Sequence, residues 1–231
     1  MRSFPTTTRA VQRLLIFARL PQRGRVKTRL AAEFGADRAL ELYRAMLADL
    51  LERIGHSDPE IDVDVVWTAV GEVGGDELRD AFGDRQLTMQ TGKDLGERLV
   101  VAFSERVVFH PTEKIVAIGV DDPRLGRDDV RRAFGLLDSC DWVIGPALDG
   151  GYYLIGCRAG SFHPSVFDKI EWGTPRVFRE TEQSIRALGA TVAVLPERRD
   201  LDVPSDLRSW AAEDRDAGTR LRRLIEQWGL S

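Results

Sequence analysis

Apolar positions along this chain fall into two alternating periods. Residues 14–18, LLIFA, form an unbroken apolar run of strand length. From Ala36 to Ile54 the apolar positions Leu40, Tyr43, Leu47, Leu50, Leu51 and Ile54 recur at helical spacing, and Gly55 ends the run. A strand is predicted over 61–69, a helix over 95–109, and an inner strand at 115–118, IVAI. A helix near 127–138 then precedes strands at 142–145 and 151–157. Helical patterns return at 175–188 and 205–227, with a strand at 191–195 between them. This alternation predicts one α/β domain with a mostly parallel sheet, spanning 13–231 behind a basic tail, 1–12. Ligands of such sheets bind outside the carboxyl ends of the strands, so the loops after apolar strands are where chemistry is sought.

Composition adds little until it is divided. The 231 residues are 43% hydrophobic and 30% charged, with a formal net charge of −4, which argues against a coat for nucleic acid. The first thirty residues, however, carry Arg2, Arg9, Arg13, Arg19, Arg23, Arg25, Lys27 and Arg29 and no Asp or Glu. A cationic front is thus joined to an acidic remainder, with Arg2, Arg9 and Arg13 expected in a solvated tail. Cys140 and Cys157 form no CxxC and read as small core residues on strands, in keeping with a reducing cytoplasm. No apolar stretch approaches the length of a membrane span. His56, His110 and His163 lie in loop-like surroundings and form no triad with a GxSxG motif.

The loop after the first strand reads FARLPQRGRVKTRL, residues 17–30. Pro21 stiffens its entry and Gly24 permits a tight turn. Five cations between Arg19 and Arg29 repel one another, and a diphosphate would relieve them, aided by N–H groups at the next helix start. A solvated basic loop would have the same composition. The strand at 115–118 runs into GVDDPRL, in which Asp121 and Asp122 suit a hard divalent ion such as Mg²⁺ or Mn²⁺, or equally an Asp-Pro turn. DLDVPSD, 200–206, places Asp200 and Asp202 on one side if extended, so that Asp202 could close a metal site, while Pro204 and Ser205 read as a helix start. In GPALDGGYYLIG, Asp149 could orient a hydroxyl or act as base, although Asp-Gly-Gly also makes an ordinary hairpin. In QTGKDLGER, Gln90 and Lys93 could meet a base or phosphate, and Asp94 caps a helix. Trp172, Gly173 and Thr174 form a compact loop that could border an acceptor pocket.

In order, FARLPQRGRVKTRL, QTGKDLGER, IGVDDPRL, GPALDGGYYLIG, WGT and DLDVPSDL resemble a bacterial glycosyltransferase-like family linked with arsenosugar biosynthesis, over roughly residues 13–210. That family is similar to the nucleotide-diphospho-sugar transferases of the GT-A superfold and, more distantly, to guanylyltransferases. The resemblance implies a GT-A-like three-layer α/β/α sandwich. It implies phosphate contacts from Gly24, Arg25, Lys27 and Arg29; Arg19 stands where Lys is usual and keeps the charge, and Gln90 and Lys93 are candidates to join them. It further implies Mg²⁺ or Mn²⁺ on Asp121 and Asp202. An acceptor loop of Gly150, Gly151, Tyr152, Trp172 and Thr174 would lie beside Asp149. Asp122 stands where Cys is common and adds a carboxylate beside the metal; Leu148 replaces a frequent acidic residue before Asp149. The activity expected is glycosyl transfer from a nucleotide diphospho-sugar to a small or lipid-like acceptor hydroxyl. The alternatives are nucleotidylyl transfer from a nucleoside triphosphate and a non-catalytic nucleotide-binding module.

Overall fold

The computed structural model describes residues 11–55, 60–213 and 219–230. Seven strands form one sheet in the order β3-β2-β1-β4-β6-β5-β7. They are β1 (Gln12–Arg19), β2 (Ile61–Thr68), β3 (Gln86–Met89), β4 (Lys114–Ile118), β5 (Trp142–Pro146), β6 (Tyr152–Arg158) and β7 (Val192–Val194). The first four run parallel, β5 and β7 are parallel, and β6 is antiparallel to both its neighbours. The sheet is therefore mostly parallel, as the strand–helix alternation requires. The exception follows from the Asp-Gly-Gly turn, which folds β5 back onto β6 as a hairpin instead of crossing over. Every residue of β4 and β5 is buried, as central strands covered on both faces must be.

Helices cover both faces. Successive residues of a strand point to opposite sides, so β1 and β4 feed two cores at once. Leu14, Ile16, Val116 and Ile118 pack with α2 (Ala36–Ile54), α5 (Arg127–Leu136), α7 (Pro204–Glu213) and α8 (Arg220–Gln227). Leu15, Ile115 and Ala117 pack with α4 (Leu95–Phe109), α6 (Val177–Ala187) and two short 3-10 turns, 159–161 and 164–167. On α2 the inward stripe includes Leu42, Met46, Leu47 and Leu50, all under 3% exposed, and each such side chain contributes about 2 kcal/mol relative to exposure. Asp94 caps α4, accepting from the Glu97 N–H at 2.9 Å, as expected. No helix among the described residues is long and apolar enough to cross a membrane.

Several local expectations change. Two short helices, α1 (Thr28–Phe34) and α3 (Gly75–Phe82), and edge strand β3 escaped the pattern, because such short elements give too few repeats for a period to register. The helical run 205–227 divides into α7 and α8. The C-terminal apolar positions Leu221, Leu224, Ile225 and Trp228 pack against this chain's own core, with the Trp228 ring stacked on Phe34 and under the Arg38 guanidinium. Arg13 belongs to β1, not to a solvated tail: its guanidinium reaches Asp62, Asp64 and Glu113, while Arg2 and Arg9 lie outside the described residues. Cys157 is buried on β6, but Cys140 precedes β5 in a turn and is partly exposed. His110 and His163 sit near Glu113 and Ser165 respectively, and His56 lies outside the described residues.

The β5 end of the sheet is fastened by Asp141. Its Oδ2 accepts from the Thr191 hydroxyl at 2.6 Å and the Thr191 N–H at 2.8 Å; its Oδ1 accepts from Ser161 and Arg158. These bonds, led by the Thr191 hydroxyl, lower its pKa to about 2. A folded-state pKa below the unfolded one contributes stability that is complete above the unfolded value and is lost as pH falls through the folded value. Asp141→Ala is expected to lower unfolding free energy at pH 7 by about 1–3 kcal/mol. Between pH ~4 and ~2 the wild type should lose this increment while the variant does not. Urea unfolding at pH 7, 4 and 2.5 measures both.

Candidate functional site

The carboxyl ends of β1 and β4 open into a cleft of about 680 Å³. Its walls come from the loop after β1, from α4 and its preceding loop, from the β4 end, from β6, and from Asp202. The strand order makes this position. β1 and β4 are neighbours, yet the chain leaves them in different directions, so their following loops part and leave a crevice.

Nine residues singled out from the sequence meet there: Arg19, Arg25, Lys27, Arg29, Gln90, Lys93, Asp121, Tyr152 and Asp202. Their states differ. Arg25 and Arg29 are exposed in the loop, and Arg29 reaches Asp202 only at 3.8 Å. Among the described residues Arg19 and Arg25 have no ion-pair partner. Arg23 is turned outward in a two-bond pair with Asp37. Lys93 pairs with Glu97 at 2.7 Å along α4. The Gln90 amide donates to the Ala18 and Val66 carbonyls and accepts from Arg98, so it ties β1 and β2 together at the cleft floor. Tyr43 performs a similar task from α2: its hydroxyl accepts from the Arg19 N–H at 2.8 Å and donates to the Arg19 carbonyl at 3.0 Å. Burial raises its phenol pKa above the usual range.

Lys27 is the least expected of these. Its side chain is 2% exposed, and its ammonium donates to Asp121 Oδ1 at 2.5 Å, the Leu201 carbonyl at 2.6 Å and Asp202 Oδ1 at 3.0 Å. All three N–H donors are thereby used. Burial alone would lower its pKa, but Asp121 and Asp202 more than reverse that and raise it. The residue also has φ 46°, a left-handed backbone that costs a non-glycine residue on the order of 1 kcal/mol. Lys27 therefore faces the carboxylates rather than an open phosphate position.

Asp200 lies within electrostatic reach of this group. It is largely buried, its Oδ1 has no hydrogen-bond partner, and burial, followed by the charges of Asp121 and Asp149, pushes its pKa up to about 8. Asp122 turns the other way. Its carboxylate accepts from the Arg124 N–H and from Arg198, which also pairs with Asp129 and lies over the Tyr153 ring. It thus braces the loop through Arg198 and is not turned toward Lys27.

The remaining expected residues do not line the cleft. Gly24 is in the outer turn of the loop. Asp149 accepts from the Gly151 N–H at 2.9 Å, which closes the hairpin turn. Gly150 has φ 89°, and a Cβ there would collide with the Pro175 backbone. Trp172 lies over Gly96 of α4, where a Cβ would sit 2.7 Å from the indole, and meets the Tyr152 ring edge-on. Thr174 donates to the Glu171 carbonyl and accepts from the Arg176 N–H. The sequence pattern assigns no site role to Arg98, or to Tyr43 and Asp200, which it places on a helical stripe and beside Asp202. For Arg98 a signal existed: it stands three residues after Leu95 and one before Leu99, on the inward stripe of α4.

Among the described residues no three His, Cys, Asp or Glu side chains converge closely enough to form a metal cage. Asp121 and Asp202 are each about half exposed and give only Oδ1 to Lys27, which leaves each an Oδ2, that of Asp202 lying 3.8 Å from Arg29. One or two carboxylates completed by substrate phosphate oxygens is the usual donor set for Mg²⁺. The residues fit such an ion when it arrives with phosphate.

These arrangements separate stability from binding. Lys27→Met is expected to lower unfolding free energy by about 2–4 kcal/mol, since it leaves the carboxylates uncompensated. Arg25→Ala should change stability by less than about 0.5 kcal/mol and weaken nucleotide affinity at least fivefold by calorimetry. Gly150→Ala, 89° in φ and blocked by Pro175, should cost about 2 kcal/mol or more in thermal unfolding.

The comparisons with known proteins agree with this architecture. The 2-phospho-L-lactate guanylyltransferase of Haloarcula marismortui is 28% identical over 187 residues, 78% of this chain and 77% of its own. A solved structure from Desulfovibrio desulfuricans G20, provisionally assigned as a nucleotide-diphospho-sugar transferase, superposes with TM-score 0.87 at 32% identity over 96% of each chain. The inositol-1-phosphate CTP transferase from T. maritima gives TM-score 0.54 at 12% identity over 94% of this chain and 97% of its own, a likeness of fold alone. The fold is that of the nucleotidyl and nucleotide-sugar transferases. Residues 50–174 match the model of the family described as "Uncharacterized protein conserved in bacteria (DUF2064)", and the chain belongs to that family.

Proposed function

We propose that this protein transfers a nucleotidyl group from a nucleoside triphosphate to a phosphorylated small molecule, with Mg²⁺ or Mn²⁺. The observation that carries the reading is the make-up of the cleft. It offers Arg19 and Arg25 without counter-charges, while each of its carboxylates already holds a partner: Asp94 the Glu97 N–H, Asp121 and Asp202 the Lys27 ammonium. Such a cleft is well supplied for holding phosphates and poorly supplied with a free base.

That balance suits a phosphate nucleophile. A phosphorylated acceptor is already ionised near neutral pH, so its oxygen attacks the α-phosphorus without surrendering a proton. The new P–O bond forms as the bond to the bridging oxygen breaks, and pyrophosphate leaves with the electron pair. Arg19, Arg25 and Arg29 would hold the triphosphate and meet the charge that gathers on the leaving group. Arg98, held by Gln90 and the Gly92 carbonyl, and Lys93 would face the other rim. Asp121 and Asp202 would hold the divalent ion, which when bound neutralises phosphate charge and fixes the phosphate orientation. Catalysis of this kind is mostly positioning and electrostatic stabilisation. The kinship with a guanylyltransferase supports the reading.

Glycosyl transfer from a nucleotide diphospho-sugar, the activity expected first from the sequence, is the second reading. The likeness to the D. desulfuricans protein favours it. In it Asp149 would serve the acceptor hydroxyl. Product chemistry separates the two. Incubation with each nucleoside triphosphate, Mg²⁺ and a panel of phosphorylated hydroxy acids and sugars is expected to release pyrophosphate. Release of a nucleoside diphosphate from sugar nucleotides, without pyrophosphate from any triphosphate, would establish glycosyl transfer instead. Tight nucleotide binding with neither product would mark a binding module.

A further inference from the structure

We propose that Lys27 is the resident counter-cation of the metal position, so that a divalent ion is admitted fully only with a phosphate that takes over the ammonium. This rests on the reading of Asp121 and Asp202 as the metal-holding pair. Each of those carboxylates spends Oδ1 on Lys27, at 2.5 and 3.0 Å, and the third ammonium proton goes to the Leu201 carbonyl. The side chain is buried and its backbone is left-handed, so the ammonium is placed there by the fold and is not a surface charge that has drifted onto a neighbour.

Two consequences follow from charge alone. A divalent ion on Asp121 and Asp202 competes with Lys27 for the same two carboxylates and is repelled by its charge, so the metal alone binds weakly. An incoming phosphate removes the conflict, because it offers acceptors to the ammonium and ligands to the ion together. Metal and phosphate affinities are then coupled through one side chain, and by linkage each raises the other by the same factor. The arrangement also explains how Asp121 and Asp202 stand together before any ligand arrives: one lysine supplies the cation.

The test is metal binding without nucleotide, so it stands apart from catalysis. Mn²⁺ alone is titrated into wild type, Lys27→Gln, Lys27→Met and the loop control Arg23→Gln, with bound Mn²⁺ followed by electron paramagnetic resonance and Tm by calorimetry. Both neutral Lys27 variants are expected to bind Mn²⁺ at least tenfold more tightly than wild type and to regain Tm as Mn²⁺ is added. Wild type and Arg23→Gln should barely respond. A Lys27 variant that folds only when Mn²⁺ is present supports the proposal equally. Lys27 variants that bind Mn²⁺ no better than wild type, or stay unfolded with and without it, overturn the proposal. If the variants gain Mn²⁺ affinity while wild type releases no pyrophosphate from any triphosphate, the inference stands and the nucleotidyl-transfer reading fails.

Discussion

One buried ammonium organises the working end of this molecule. Lys27 joins the loop after β1, the end of β4 and the segment 200–202, three pieces of chain far apart in sequence. Without a cation at that point the carboxylates of Asp121 and Asp202 would repel each other beside the buried carboxyl of Asp200. With it, the cleft has a fixed wall, and the Leu201 N–H can pair with the Asp121 carbonyl at 2.8 Å to close the junction. A positive charge buried among carboxylates contributes little net stability, but removing either sign is costly. The arrangement therefore specifies geometry more than it adds free energy.

Around that point the fold assigns charges to opposite tasks. Arg13, Arg198 and Arg158 are structural: each lies in a part-buried pair that ties strands or loops to the sheet. Arg19 and Arg25 are left facing the cleft. The same loop thus contains a lysine that is consumed by the fold and arginines that stay exposed to the cleft. Tyr43 and Gln90, both anchored on backbone carbonyls at the strand ends, hold the backbone at Ala18 and Arg19 in place without adding charge.

Much of the architecture was legible in the sequence. The apolar run LLIFA reads as a buried strand, because it has no polar face and is too short for a helix. The helical stripe from Leu40 to Ile54 was long enough for its period to be unambiguous, and Asp94 carried a cap signature that the structure reproduces. The cationic loop and the acidic turns were identified because charges gathered after apolar strands must lie at one edge of the sheet. What escaped was short or shared. Helix α1 and strand β3 are too brief for a period. Asp-Gly-Gly serves a tight hairpin as readily as a ligand, and here Gly150 is held against Pro175.

The sequence by itself determined the α/β class and which loops carry the charges, since hydrophobic period and loop charge are local properties. Only the tertiary structure decided which charge meets which. Lys27 and Arg25 are two residues apart and read alike, yet one is buried against carboxylates and the other is exposed to the cleft. Asp121 and Asp122 are adjacent, but one faces Lys27 and the other Arg198. Neighbouring residues in a turn point in different directions. Coulombic pairing depends on distance in space, which no local pattern encodes.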